Sequence, residues 1–282
     1  MIAILAGLGA ALFWTVATLL SSRSGRMIGA PSTLAWVMVV GLAIAAPLAL
    51  LDAPPSLTPS LVALLLLSGV GNAVGLLLAY AALRRGKVGI VAAIISSEGA
   101  VAAAIAVVAG QAISPAVGVI LGVIVVGIVI AARHGGESPA DTVAAPGAAA
   151  WLAVGAAFAL GVGLYATGKV GAEAPLTWVL LSARVIGTLL VFVPLALSAR
   201  LRLTRAVLPL VVAGGCCEVA GLASFTIAAR HNLAIASVLA SQVGALAGVS
   251  AYLLFGERLG RLQIAGIATI VTGLVALSIL QI

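Results

Sequence analysis

AYAALRRGKVGIVAAIISSEGA, residues 79–100, runs in register with SFTIAARHNLAIASVLASQVGA, residues 224–245. Each copy ends an apolar segment on a basic residue, turns, and enters a second apolar segment with a polar patch at its middle. That patch is Ile95-Ser96-Ser97-Glu98-Gly99 in the first copy and Ala240-Ser241-Gln242-Val243-Gly244 in the second. Upstream, APSTLAWVMVVGLAIAAPLAL (30–50) and APLTWVLLSARVIGTLLVFVPLAL (174–197) both begin Ala-Pro and close on Pro-Leu-Ala-Leu. Downstream, Gly110-Gln111 falls opposite Gly256-Glu257. The chain therefore reads as a tandem repeat.

The segments that repeat are apolar runs of about twenty residues, the length that crosses a hydrocarbon core of about 30 Å at about 1.5 Å per residue. Ten are present: 2–22, 31–51, 61–83, 87–108, 113–132, 148–169, 175–199, 206–229, 233–255 and 262–281. Composition agrees. The chain is 63% hydrophobic and 7% charged, against about 25% charge in a soluble domain, so it cannot cover a water-facing surface. The expected fold is an all-α integral membrane protein of ten transmembrane helices. Residues 1–135 form the first five-helix repeat, 136–147 a linker, and 148–282 the second repeat. The Gly-, Pro- and Ala-rich RHGGESPADTVAAPG (133–147) supplies the linker signal. An odd number of helices per repeat inverts the second copy in the bilayer, the arrangement many transporters use for alternating access around a midplane site. The first segment lacks a basic start and runs about twenty residues, so it reads as a spanning helix and not a cleavable signal.

Loops after helices 1, 3, 5, 7 and 9 hold Arg23, Arg26, Arg84, Arg85, Lys87, Arg133, Arg200, Arg202, Arg205, Arg258 and Arg261, whereas the alternate loops hold only Lys169 and Arg230. The positive-inside rule puts the basic set in the cytoplasm and both termini outside. The expected location is the inner (plasma) membrane. The net charge of +7 is thus an orientation signal, and no nucleic-acid partner is implied.

Glu98, Arg184 and Glu218 each fall near the middle of a spanning segment. An ionised group at a helix centre costs roughly 2.5–3.5 kcal/mol on insertion scales, and survives facing a bundle interior or a watery cavity, usually with a partner. Arg184 offers a planar fork for a carboxylate; Glu98 and Glu218 accept an ammonium or a proton. Desolvation disfavours an ionised carboxylate, which makes protons a further candidate partner. Either Glu could be the one that pairs with Arg184. Ser97 and Gln242 belong to the two mid-helix patches, although such serines also back-bond to the preceding turn. Asn72 on helix 3 lies one residue from Glu218 in the repeat alignment. Trp14, Tyr80 and Tyr165 are candidates to line a cavity and stack on a ligand. Trp36, Trp151 and Trp178 lie nearer helix ends, as interfacial anchors do. Gly71xxxGly75, Gly118xxxGly122 and Ala240xxxGly244xxxGly248 are close-packing faces.

Adjacent Cys216 and Cys217 point in different directions on a helix and read as packing residues. His134 and His231 lie in or beside loops without a second ligand at helix spacing. No metal, catalytic or cofactor motif is present. The partners implied are a small-molecule substrate and the lipid bilayer; monomer is preferred over dimer, because small-residue faces alone do not specify one.

Taken together, these residues resemble the drug/metabolite transporter superfamily, in its ten-helix EamA-type branch. LLFGERLGRLQIAGIATIVTGLVAL (253–277), with Gly256 and Glu257, is similar to the branch's Gly-Glu turn between the last two helices. Arg184 is similar to an Arg of helix 7, and Tyr80-Ala81-Ala82-Leu83 to the end of helix 3. The chain departs from the branch at Gln111, where Glu is usual, at Val37, where helix 2 lacks its Arg, and in having no Pro in helices 4 and 9. The resemblance implies a secondary transporter or exporter, with no enzymatic activity. From the residues, the expected substrates are amino acids or related zwitterions, with organic-cation efflux or a lipid-flipping, non-transporting subunit as alternatives.

Overall fold

A computed structural model describes residues 2–86, 88–110, 114–132, 146–243, 246, 250 and 261–279. No strand occurs among them. Most of the expected linker lies outside the described residues, as do Gln111, Gly256 and Glu257. The helices are α1 (Ile2–Ile28), α2 (Ala30–Ala49), α3 (Pro59–Arg85), α4 (Val88–Ile95), α5 (Glu98–Val108), α6 (Pro115–Ala132) and α7 (Pro146–Glu173). They continue as α8 (Leu176–Gly187), a π-helical turn (Thr188–Phe192), α9 (Val193–Leu197), α10 (Leu208–His231), α11 (Leu233–Ala240) and α12 (Arg261–Ile279).

Local chemistry sets the boundaries. Thr58 accepts a hydrogen bond from the Leu61 amide at 3.2 Å, with Pro59 at the first helical position of α3. Asn232 caps α11 in the same way, from Ile235 at 3.1 Å. Gly29 joins α1 to α2 at φ 92°, a left-handed conformation that favours glycine. Pro194 lacks an N–H and crowds the carbonyl four residues back, and the π-helical turn at Thr188–Phe192 precedes it within one continuous span.

Six described helices are long and apolar enough to cross a membrane: Ile2–Ile28, Ala30–Ala49, Pro59–Arg85, Gly147–Glu173, Leu176–Leu197 and Leu208–His231. Their surfaces are arranged for lipid. Ala, Gly and Ser fill the interior, while Leu5, Leu12, Leu66, Phe158 and Leu189 point outward. Lipid is as apolar as Leu, so small residues that permit close backbone approach hold such a bundle together. α3 crosses α7 at Gly71, where an added Cβ would lie 2.8 Å from the Gly163 Cα and the Ala159 carbonyl. Next to the crossing, Ser68 and Thr167 share a hydrogen bond at 2.6 Å. Both obstacles at Gly71 are backbone, so Gly71→Val is expected to lose most monodisperse protein in detergent, whereas Gly122→Ala, with nothing within 4 Å, retains wild-type yield. Size-exclusion chromatography of the two variants checks this.

The span expected at 87–108 is broken. It divides at Ser96-Ser97 into α4 and α5, and the span expected from 233 divides after Ala240 at Ser241-Gln242. Side chains take over helix carbonyls at both breaks. Ser96 and Ser97 hydroxyls donate to the Ala92 and Ile94 carbonyls at 2.9 and 2.8 Å. The Ser241 hydroxyl and the Gln242 amide both donate to Val238, at 2.8 and 3.0 Å. Such back-bonding offers the chain an alternative to continued helix. The breaks meet: α5 packs on α11, and an added Cβ at Gly99 would lie 2.7 Å from the Ser241 hydroxyl.

The helix pairs themselves come in matched sets: α1 with α10 and α3 with α7, α2 with α10 and α8 with α3, α1 with α11 and α7 with α5. The outlying helices α6 and α12 pair with each other. The loops dock reciprocally too. The Trp36 indole donates to the Arg202 carbonyl at 2.9 Å, and the Trp178 indole to the Asp52 carbonyl at 3.3 Å. These two tryptophans hold loops at opposite ends of the bundle, while Trp151 is exposed. One end gathers Arg84, Arg85 and the Arg200–Arg205 loop beside the α1–α2 junction.

Candidate functional site

Between α1, α3, α4, α5, α7 and α10 lies a cavity of about 60 Å³. A single water needs roughly 10–15 Å³ measured this way, so the space suits several waters or a small polar group. Its walls are mostly apolar: Leu76, Leu83, Ile95, Leu160, Leu164, Leu222 and Val243. Into it point Thr18, Asn72, Tyr80, Glu98, Thr167 and Glu218, with Trp14 alongside. Thus the structure brings Glu98, Glu218, Asn72, Trp14 and Tyr80, five of the expected residues, to one place.

Glu98 is there because the helix breaks just before it. As the first residue of α5 it sits at a helix N-terminus, where unsatisfied amides and the helix dipole favour a carboxylate. It is 6% exposed. Among the described residues it makes no hydrogen bond and no ion pair. Two neutral neighbours in the cavity also want partners: Asn72 Oδ1 and the Tyr80 hydroxyl are buried and unbonded among the described residues. Buried polar groups are nearly always hydrogen-bonded, so this cluster is built for something polar to enter.

Arg184 lies behind the cavity wall and not in it. It is 0% exposed. Its Nη2 donates to the Glu218 main-chain carbonyl at 3.2 Å and stands 3.7 Å from Glu218 Oε2. Nη1 contacts Met38 Sδ at 3.5 Å, and Nε has no partner among the described residues. The guanidinium fits because α2 has glycine at 41, where an added Cβ would lie 2.7 Å from Arg184 Cδ. The pairing left open by the sequence is therefore Arg184 with Glu218, and Glu98 has no ion-pair partner among the described residues.

The remaining candidates stand apart from the cavity. Ser97 back-bonds within its own turn. Gln242 is buried next to Val243, its Oε1 unbonded among the described residues. Tyr165 packs against the α10–α11 cluster, with Lys169 Nζ 5.8 Å from its ring centre. Trp14 packs on Phe225 at 5.9 Å between ring centres. Thr18 and Thr167 were not among the expected site residues. Thr18 follows Trp14 by one helical turn, which was its only sequence signal.

Residues 1–133 match the EamA-like transporter family, in agreement with the drug/metabolite transporter resemblance read from the sequence. A solved crystal structure of a protein aligns over 99% of this chain and 96% of its own, with a TM-score of 0.72 and 17% identity. At that identity the likeness shows the fold. Comparison with curated proteins gives no match. With six described helices long and apolar enough to cross a membrane, the chain is a multi-pass membrane protein whose residues 1–133 are similar to EamA-like transporters.

Proposed function

We propose that this membrane transporter, EamA-like over residues 1–133, is a secondary transporter of small polar metabolites that carry a protonated amine, amino acids among them. The observation that carries the reading is the buried Glu98 carboxylate, without a partner among the described residues, in a partly enclosed, apolar-walled cavity. A buried charge without a partner is unfavourable, and a cationic group that enters relieves it. Asn72, Tyr80, Thr18 and Thr167 add neutral hydrogen-bonding groups for the rest of the ligand. The carboxylate of an amino acid would meet these groups, and would meet Arg184 only if the guanidinium turned from Glu218. Larger organic cations form the second reading. Trp14 and Tyr80 in the cavity favour it, since aromatic faces attract cations.

The mechanism is alternating access by two inverted five-helix repeats, residues 1–135 and 148–282, rocking about the cavity. The matched helix pairs support it: each contact of α1, α2 or α11 has a counterpart when the two halves are exchanged. So do the two helix breaks, one per half, that meet beside Glu98. Glu98 and Glu218 exchange protons against the cationic substrate, and the arginine-rich end faces the cytoplasm of the cell that carries the protein in its inner membrane. The test is flux into proteoliposomes, with and without a pH gradient, for amines, amino acids, quaternary cations and sugars. Amine and amino-acid flux without sugar flux supports the reading. Flux confined to quaternary cations moves the assignment to the second reading.

A further inference from the structure

The two ends of the bundle are closed by different chemistry. At the end away from the arginine cluster, Arg230 of α10 donates to the Gly171 and Ala174 carbonyls at 2.7 and 2.9 Å, tying α10 to the last turn of α7. On the α3, α7 and α10 faces of that half Ser68 pairs with Thr167, Thr167 donates to Gly163 at 2.8 Å and Thr226 to Leu222 at 2.8 Å, whereas Ser237 of α11 has no partner among the described residues. At the arginine-rich end the buried hydroxyls of Ser21 and Tyr80 face each other outside hydrogen-bond geometry, and that of Thr33 has no partner among the described residues.

These three groups continue the cavity's polar lining. Thr18 faces the cavity. Ser21 follows it on α1 at three residues and Gly25 four further on, a spacing that keeps one helix face. An added Cβ at Gly25 would lie 4.0 Å from the Thr33 hydroxyl and 3.8 Å from Arg84 Cγ, which places Thr33 and Arg84 at the outer end of the row. Tyr80 stands at its inner end, in the cavity wall. Several buried hydroxyls without partners on one line are where ordered water belongs.

We propose that Ser21 and Thr33, between Thr18 with Tyr80 on the inside and Arg84 on the outside, hold a file of waters that carries protons between the arginine-rich end and the Glu218–Glu98 cavity. Each transfer moves one proton along hydroxyls and waters and consumes none. Among the described residues the charged and titratable groups facing Glu218 are Arg184 from α8, Tyr80 from α3 and Glu98 from α5, with Cys217 beside it on α10; α1 and α2 present none to it. The proposal rests on the proton-coupled reading above.

The test is the double variant Ser21→Ala with Thr33→Val, because neither hydroxyl is in hydrogen-bond geometry with a partner among the described residues, so removing both spares folding. Two assays of the leading amine substrate are run in proteoliposomes. Counterflow at equal pH reads substrate binding and translocation; gradient-driven uptake reads proton delivery as well. The expected result is a loss of about tenfold or more in gradient-driven uptake, with counterflow within about twofold of wild type. Uptake unchanged in the double variant overturns the route, and so does an equal loss in both assays. Wild-type uptake that ignores the pH gradient while counterflow proceeds overturns the route together with proton coupling, but leaves the substrate reading standing. Absence of wild-type counterflow overturns the substrate reading and the route with it.

Discussion

Glu98→Gln is expected to lower amine transport by at least about a hundredfold, or about 2.7 kcal/mol, while the protein stays folded. The carboxylate has no partner to strand: among the described residues it makes no ion pair and no hydrogen bond. Gln is nearly the same size, and it removes the charge that α5's N-terminus stabilises. The lost interaction is a charge-assisted hydrogen bond in a mostly apolar-walled site, among the stronger single contacts a ligand can make. Glu98→Asp keeps the charge but withdraws it by one methylene, so it should retain partial transport with weaker apparent affinity. The measurement is uptake in proteoliposomes, normalised to monodisperse protein by size exclusion. Wild-type transport by Glu98→Gln would end the case for this residue as the recognition group. Loss of folded protein instead would show that Glu98 has a structural partner in the segments beyond the described residues.

Much of this was legible in the sequence because membrane physics leaves large signals. Apolar runs of about twenty residues marked the six described helices long enough to cross a membrane, and the resemblance of 79–100 to 224–245 pointed to their matched contacts. The polar patches at Ser96-Ser97 and Ser241-Gln242 marked special places. What they did was less visible: the helix breaks there, and no proline or glycine at the break announces it. Hydroxyl and amide back-bonding does the work, and that depends on rotamers a sequence does not display. The partner of Arg184 was likewise hidden. Three charges at mid-depth on three segments say nothing of how each helix is rotated, and rotation alone decides that Arg184 meets Glu218 and leaves Glu98 to the cavity. Tyr165 faces the α10–α11 packing instead of the cavity for the same reason. Thr18 and Thr167 escaped notice because a threonine in a spanning helix usually bonds its own preceding turn, as Thr167 does here.

The rotation of α8 leads to the second large effect. Arg184→Ala is expected to destabilise the folded protein by about 3–5 kcal/mol, since it leaves the Glu218 carboxylate buried without its cation and opens a hole beside Met38 and Gly41. The double variant Arg184→Met with Glu218→Gln removes both charges and fills most of the volume. Replacing a buried pair by neutral groups of similar size is often close to neutral, so the double variant should recover most of the loss. Arg184→Lys should fall between them. An ammonium is a point charge without a fork, and it cannot reach the Glu218 carbonyl and carboxylate with the same geometry. Thermal unfolding in detergent of Arg184→Met, Glu218→Gln and the double variant forms a cycle whose interaction energy isolates the pair. A large coupling makes Arg184 the clamp that orients Glu218 toward the cavity. No coupling in the cycle and intact thermal stability in Arg184→Ala, with transport lost for amino acids only, would mean that the guanidinium leaves Glu218 during transport to take a substrate carboxylate. In that case the pair seen here is one state of a switch, and the zwitterion assignment gains over the cation.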